Sequence, residues 1–205
     1  MKIKPTLDQE KKLWAEGLKY IGGIDEAGRG AWAGPVVAAV VILPKMHVQV
    51  DSIKDSKLLT PKKRQELYEI ITNKNLDFGV GIISHRIIDK VGIGEATKLA
   101  AKEAINMLKN QPDYLLTDAL DLTSHFSCQQ KSFIKGDQKI YSISCASIIA
   151  KVTRDNLMSN LGSDYEHYEF HLHKGYGTKR HQELLARYGP SDLHRFSYKP
   201  IKRYL

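Results

Sequence analysis

The sequence predicts an α/β protein built on a mixed sheet with helices on both faces. Three observations lead there. Two strand-like segments, Tyr20 to Glu26 and Val36 to Leu43, come early in the chain. Beyond them the pattern alternates helix and strand, the order that layers helices against a partly parallel sheet. Val36 to Leu43 is apolar almost without interruption, as a buried strand requires.

Taken in order, Leu7 to Gly17 has a short helical pattern with Leu7, Leu13 and Trp14 turned inward. Tyr20 to Glu26 reads as a strand that ends on two acids. Gly34-Pro35 punctuates the approach to Val36–Leu43. Thr60 followed by Pro61 is a helix start, a hydroxyl cap and then a residue whose missing N–H costs nothing in the first turn. Leu67, Ile70 and Ile71 give that helix its inner face. Leu76 to Ser84 is a further strand. Gly94 to Asn110 is an alanine-rich helix with Ala96, Leu99, Ala100, Ala104 and Leu108 on one side. Tyr114 to Thr117 is a short strand running into Asp118, and a strand at Lys131 to Ile134 leads to Gly136-Asp137. Ser142 to Leu161 is a helix with small residues along one face, suited to close packing on a sheet, and Thr178 to Tyr188 is another.

With 42% apolar and 26% charged residues, 205 residues suffice for one domain with a sizeable core. No run approaches the roughly 18 apolar residues of a transmembrane helix, and "MKIKPTLDQEKK" lacks the apolar stretch of a signal peptide. Cys128 and Cys145 carry no partner motif and are read as reduced thiols, so a cytoplasmic location is expected. The formal charge of +8 favours polyanions such as nucleic acid or anionic lipid; without an apolar span no membrane role is expected, no obligate protein partner is indicated, and a monomer is the default.

Against that basic background the acids stand out. Asp25-Glu26, Asp118 and Asp137 each follow a strand-like stretch: "YIGGIDE", "YLLTD" and "SFIKGD". In α/β sheets the carboxyl ends of strands line the ligand crevice. Carboxylates gathered there repel and need a cationic partner. Hard oxygen ligands suit Mg²⁺ or Mn²⁺, and four negative charges match two such ions, the arrangement that clamps a phosphodiester for in-line attack. Singly, an acid at a strand end also serves as a turn former, and Asp137 can cap the helix after it. The tandem Asp25-Glu26 before a glycine turn is what a structural role leaves unexplained. The histidines of "HYEFHLH" (His167, His171 and His173) have no nearby cysteine and read as a polar loop or helix end rather than a zinc site. There is no G-x-S-x-G, and "GGIDEAGRG" fails G-x-G-x-x-G because carboxylates occupy the turn where a pyrophosphate would sit.

Gly28-Arg29-Gly30 follows the first two acids. Such a turn lets backbone groups approach a sugar while Arg29 reaches a phosphate; it also fits an ordinary strand ending. Lys54, Lys57, Lys62, Lys63, Arg64, Lys151, Arg154, Lys174, Lys179, Arg180 and Arg187 supply a basic frame, part of which is simply solvated surface. In "HKGYGTKRH", Tyr176 stands between glycines in a basic loop, where its ring can stack on a nucleotide or simply pack.

These blocks occur together in a known order. "GGIDEAGRGAWAGPVVAAVVIL", "DSKLLTPKKR", "LLTDAL", "KGDQKIYSISCASIIAKVTRD" and "HKGYGT…H" resemble the successive signatures of ribonuclease HII, the bacterial type 2 ribonuclease H, over nearly the whole chain. The resemblance implies a ribonuclease H-like fold: a mixed five-stranded sheet flanked by helices, in one catalytic domain over 1–205. It also implies an N-terminal helix over about 1–19 and a small helical C-terminal extension, about 160–205, that grips substrate. It implies cleavage of the RNA strand of RNA–DNA hybrids and incision 5′ to single ribonucleotides embedded in duplex DNA, with two Mg²⁺ or Mn²⁺ ions, leaving a 3′-hydroxyl and a 5′-phosphate. Asp25, Glu26, Asp118 and Asp137 match the catalytic, metal-binding carboxylates. Gly28, Arg29 and Gly30 match the turn that senses the 2′-hydroxyl, Lys57 a phosphate contact, and Tyr176 the tyrosine that stacks at the RNA–DNA junction. Two departures stand out: Leu58 where the family commonly has a second lysine, and Cys145 where it has alanine. "IKRYL" contains no sliding-clamp peptide, so clamp docking is not expected. The related ribonuclease HIII carries an extra N-terminal domain for which the residues before the first block leave no room. A silent nucleic-acid-binding module is the remaining alternative, opposed by the presence of all four acids.

Overall fold

The protein is described here by a computed structural model covering residues 4–45, 47–53, 56–73 and 76–205. Its centre is a five-stranded sheet in the order β3-β2-β1-β4-β5. The strands are β1 (Ile21–Ala27), β2 (Val36–Ile42), β3 (Asp77–Ile83), β4 (Tyr114–Asp118) and β5 (Gln129–Phe133). The first three form an antiparallel meander, while β4 and β5 run parallel to β1. The sheet is therefore mixed, as the sequence predicts. All seven residues of β2 are buried, because both faces of the sheet are covered there.

On one face lie α1 (Asp8–Ala15), α2 (Pro61–Asn73) and the long α5 (Tyr141–Leu161), sharing a core with Val37, Ala39 and Val41. On the other, α3 (His85–Asn106) packs Ala96, Ala100 and Ala104 against Val36, Ala38 and Val40. The even and odd residues of β2 thus serve different layers, the two-residue period of a strand made visible. α5 sits unusually close to β1. A Cβ on Gly23 would lie 2.4 Å from the backbone carbon and the hydroxyl of Ser142, so the strand and the helix both need small residues at this point. That contact places the carboxyl end of β1 directly beside the α5 surface.

Two helices start on capping residues at the positions read from the sequence. Thr60 accepts from the Lys63 N–H ahead of α2, and Thr178 from the His181 N–H ahead of α7 (Lys179–Tyr188). α3 differs from expectation. It begins nine residues early, capped by the Ser84 hydroxyl, and ends at Asn106 instead of Asn110. Gly92, with φ 80°, breaks it into two runs, and the first run is too short to register as a period of its own. Two short helices, α4 (Gly136–Lys139) and α6 (Phe170–His173), also escaped the sequence reading. The last third of the chain builds a separate small core from Tyr168, Phe170, Leu184, Leu185 and Ile201, joined by Ala33 and Trp32. Among the described residues no helix is long and apolar enough to cross a membrane.

α5 has no side-chain cap of its own. Glu10, fully buried on α1, accepts from the Ser142 N–H at 2.9 Å and takes that place across 132 residues of chain. Burial raises the Glu10 carboxyl above its ordinary range, opposed by its bonds to Ser142. The acid still belongs there, because a helix amino terminus favours negative charge. Glu10→Ala is expected to lower stability by about 1–3 kcal/mol, and Glu10→Gln by less because an acceptor survives. Urea unfolding monitored by far-UV circular dichroism would measure both.

Candidate active site

Asp25 lies one residue beyond Ile24, which pairs with Thr117 in the parallel β1–β4 ladder. Asp118 follows Thr117 and ends β4, so the two acids stand side by side on neighbouring strands, although β1 runs on through Glu26 to Ala27. Asp137 arrives differently. It does not end a strand but sits in the first turn of α4, four residues beyond Phe133, the last of β5. The turn into α4 is anchored on Asp118, whose Oδ1 accepts from the Gly136 N–H at 2.8 Å. Carboxylate oxygens of Asp25, Asp118 and Asp137 lie within 4.8 Å of one another. Asp25 and Asp137 are buried and Asp118 half-buried.

Glu26, the fourth predicted acid, stands outside that set of three. Its Oε1 faces Arg29 Nη1 at 3.3 Å, and its Oε2 is buried without a hydrogen-bond partner. It still feels the cluster. Burial raises its carboxyl, Arg29 and Lys57 pull it down, and Asp118 pushes it further up. Asp25 is raised well above the usual carboxylate range, by burial first and then by Glu26 and Asp118. A hydrogen bond from Ser147 and one from the Glu26 N–H, at 2.7 Å, hold its charged form in part.

Among the described residues Lys57 approaches the set directly, its Nζ 3.6 Å from Asp137 Oδ2, with most of the lysine exposed. A single exposed ammonium does not balance a buried carboxylate trio. Clustered hard oxygens, a buried acceptor with no donor, and the Asp25 and Glu26 carboxyls pushed upward by burial and then by neighbouring acids together form a donor set fit for a divalent cation. Residues Asp25, Asp118 and Asp137 would hold it, with Glu26 next to Asp25 in the chain.

Beside the acids opens a pocket of about 380 Å³, lined among others by Glu26, Arg29, Gly30, Lys57, Lys151 and Tyr176. Every described residue singled out for substrate contact from the sequence borders it, Gly28 included. Gly30 faces open space. Gly28 has φ 95°, and a Cβ there would lie 2.0 Å from Arg154 Nε, so only glycine fits. The Tyr176 ring is flanked by Lys151 Nζ and the Arg154 guanidinium, 5.2 and 5.1 Å from its centroid.

The basic frame divides. Arg154, counted in the basic frame, is fully buried: it donates to the carbonyls of Pro35 (2.9 Å), Lys174 (3.0 Å) and Ala33 (3.1 Å). Burial lowers it to about 10, which still leaves it charged at neutral pH. Arg195, not singled out from the sequence, does the same for Gly34, Arg29 and Pro35 at 3.0–3.1 Å. Arg64 grips the turn carrying Lys57 through the carbonyls of Ser56 (2.8 Å) and Leu59 (2.7 Å). Arg180 pairs with Glu169, Lys63 with Glu66, and Lys151 with Asp155. Lys54 lies outside the described residues. His167, His171 and His173 do not converge; His173 is buried against His181 and His171 is exposed. Sequence reasoning also missed Ser147 and Ser56, whose buried hydroxyls meet at 2.9 Å beside Asp25. A serine inside an apolar helix must find a partner, and that was the available signal.

The family model for ribonuclease HII matches residues 22–201. A ribonuclease HII of Caldicellulosiruptor bescii is 46% identical over 189 residues, 92% of this chain and 91% of that protein. Among solved structures, the ribonuclease H2 of Pyrococcus horikoshii OT3 superposes with TM-score 0.74 at 26% identity, covering 90% of this chain and 96% of that one. The RNase HII from the PCNA:RNase HII complex of Archaeoglobus fulgidus gives 0.73 at 28% identity, with the same coverage. Bst-RNase HIII in complex with Mn²⁺ shares the fold at TM-score 0.69 and 18% identity, covering 95% of this chain and 72% of that one.

The raised Asp25 carboxyl has a measurable consequence. The folded state binds that proton more tightly than the unfolded state, so the charged form costs stability at neutral pH and the cost fades as pH falls through the folded-state value. In EDTA, Asp25→Asn is therefore expected to stabilise the protein by about 1–3 kcal/mol at pH 8, with the gain shrinking toward pH 4. Urea midpoints across that range would test it.

Proposed function

The chain belongs to the ribonuclease HII family, and from that membership and the acidic pocket we propose how it selects and cuts its substrate. As a member it is a ribonuclease H endonuclease acting on RNA–DNA hybrids. The finer reading is that it also incises 5′ to a lone ribonucleotide in duplex DNA, depends on two Mg²⁺ or Mn²⁺ ions, and leaves a 3′-hydroxyl and a 5′-phosphate. The observation that carries it is the trio of converging oxygens from Asp25, Asp118 and Asp137 beside a pocket edged by a glycine turn.

Each residue then has a task. Asp25, Asp118 and Asp137 hold the cations, with Glu26 completing the acid set. Divalent cations held there would supply Lewis-acid chemistry to the attacking water and the leaving 3′-oxygen. The Gly28–Gly30 backbone, open to the pocket at Gly30, reads the ribose 2′-hydroxyl, which is recognised and not consumed. Arg29 and Lys57 meet the backbone phosphates, and Tyr176 stacks at the junction sugar, with Lys151 and Arg154 against its ring. The helical C-terminal part grips the duplex. The protein works alone in the cytoplasm on this reading, with no obligate partner.

A duplex carrying one embedded ribonucleotide, run beside a long hybrid and an all-DNA control with and without EDTA, tests the assignment directly. Asp118→Asn is expected to lose about a thousandfold or more in cleavage while hybrid binding survives. Undiminished turnover would remove the metal-site reading. Tyr176→Ala is expected to lose about 10–100-fold on the lone ribonucleotide and less on the long hybrid. Equal losses on both would remove its junction role.

A further inference from the structure

Behind Tyr176 lies a cluster of buried histidines that the reaction does not use. The Tyr176 carbonyl accepts from the Thr178 N–H at 2.8 Å and faces His181 Nδ1 at 3.0 Å. A carbonyl cannot donate, so Nδ1 carries the hydrogen and, in a neutral ring, Nε2 is bare. The atom facing that bare nitrogen, at 3.0 Å, is His194 Nε2, which must then be the donor. His194 Nδ1 is left to accept from the Ser191 N–H at 2.9 Å. The opposite assignment puts the His194 Nδ1 hydrogen on the Ser191 carbonyl at 3.2 Å. It would leave a bare His181 Nδ1 against the Tyr176 carbonyl, two acceptors face to face. One direction satisfies the whole chain: Ser191 to His194 to His181 to Tyr176.

Both rings are fully buried, and burial lowers His181 to about 3 and His194 to about 4, so the neutral forms that this chain requires are the stable ones. The ends of the chain matter as much as its middle. Tyr176 is bridged to Ala31 and His194 to Ala33, so the two histidines connect both flanks of the short segment that follows the Gly28–Gly30 turn. His173 stacks on His181 with centroids 4.2 Å apart, closing the far side.

We propose that His181 and His194 are positioning residues, a directed hydrogen-bond chain that fixes the height of Tyr176 over the glycine turn and so sets how well the enzyme distinguishes a ribose junction. The proposal rests on the reading of Tyr176 as the junction-stacking residue. It differs from a plain packing role in one respect: what counts is a donor at the Nδ1 position, which an asparagine amide reproduces and an aliphatic side chain does not.

The test compares His181→Asn with His181→Leu, each shown to be folded by circular dichroism. Amide hydrogen exchange of the 174–179 peptide and kcat/KM on the lone-ribonucleotide and long-hybrid substrates are read in parallel. His181→Leu is expected to speed loop exchange and to lower the lone-ribonucleotide to long-hybrid ratio, each by about three- to tenfold, the worth of one neutral hydrogen bond, with His181→Asn close to wild type in both. Unchanged loop exchange in a folded His181→Leu, or equal failure of both variants, overturns the positioning role. Faster exchange with an unchanged ratio supports the anchoring and overturns the junction role of Tyr176 on which the specificity part rests. Should His181→Leu fail to fold, His194→Gln against His194→Leu asks the same question from the other end, since the glutamine amide replaces the Nε2 donor. The same outcomes then decide it.

Discussion

Mutual repulsion among carboxylates is the constraint around which this molecule is arranged. Two unit charges about 4 Å apart in a partly solvated protein site repel by roughly 4 kcal/mol, and here three acids share one small space. Left on a pliable loop they would swing apart. Asp25 and Asp118 are denied that escape because their backbones belong to adjacent strands of a sheet covered on both faces. Asp137 is denied it because its helical turn is pinned to Asp118 through Gly136. The strained arrangement is therefore supported by ordinary packing: the close seat of α5 on Gly23, the all-buried β2, and Glu10 at the α5 amino terminus. Function here costs stability, and the surrounding core supplies it.

A second device shapes the substrate side. The segment from Arg29 to Pro35 leaves the sheet and carries carbonyls that no neighbouring strand satisfies in full. Arg154 and Arg195 take the carbonyls of Arg29, Ala33, Gly34 and Pro35 between them. A guanidinium with its planar fork of five donors can do this where lysine cannot. The glycine turn is thus rigid for a reason outside itself, and its shape is inherited from helix α5 and from the end of the chain.

Much of this could be read from the chain alone, and the failures have physical causes. β2 was legible because burial on both faces leaves a run of apolar residues, "VVAAVVIL". Asp25 and Asp118 were legible because an acid directly after such a run contradicts it. Asp137 was found, but its support was misjudged: a four-residue helix has no period to detect, so a helical turn looked like a strand end. α3 lost its first turns for a similar reason, interrupted by Gly92. Arg154 was misread because sequence shows charge and not direction; its three carbonyl partners come from residues 20 to 121 positions away. The roles of Arg195, Ser147 and the His181–His194 pair were invisible for the same reason. Each is made by tertiary proximity and leaves no local pattern.

The two buried guanidiniums also have an electrical side. The hydrogen bonds of both go to neutral carbonyls and, for Arg195, the Tyr198 hydroxyl, so their positive charge is solvated by dipoles without being cancelled. A charge enclosed in protein is shielded by dissolved ions far less than one on the surface. Surface lysines lose most of their long-range pull as ionic strength rises, whereas this interior pair, packed against the Tyr176 ring and the Arg29 carbonyl, is dimmed less. The basic character that lies behind Tyr176 and the glycine turn is thus the part least sensitive to ionic strength.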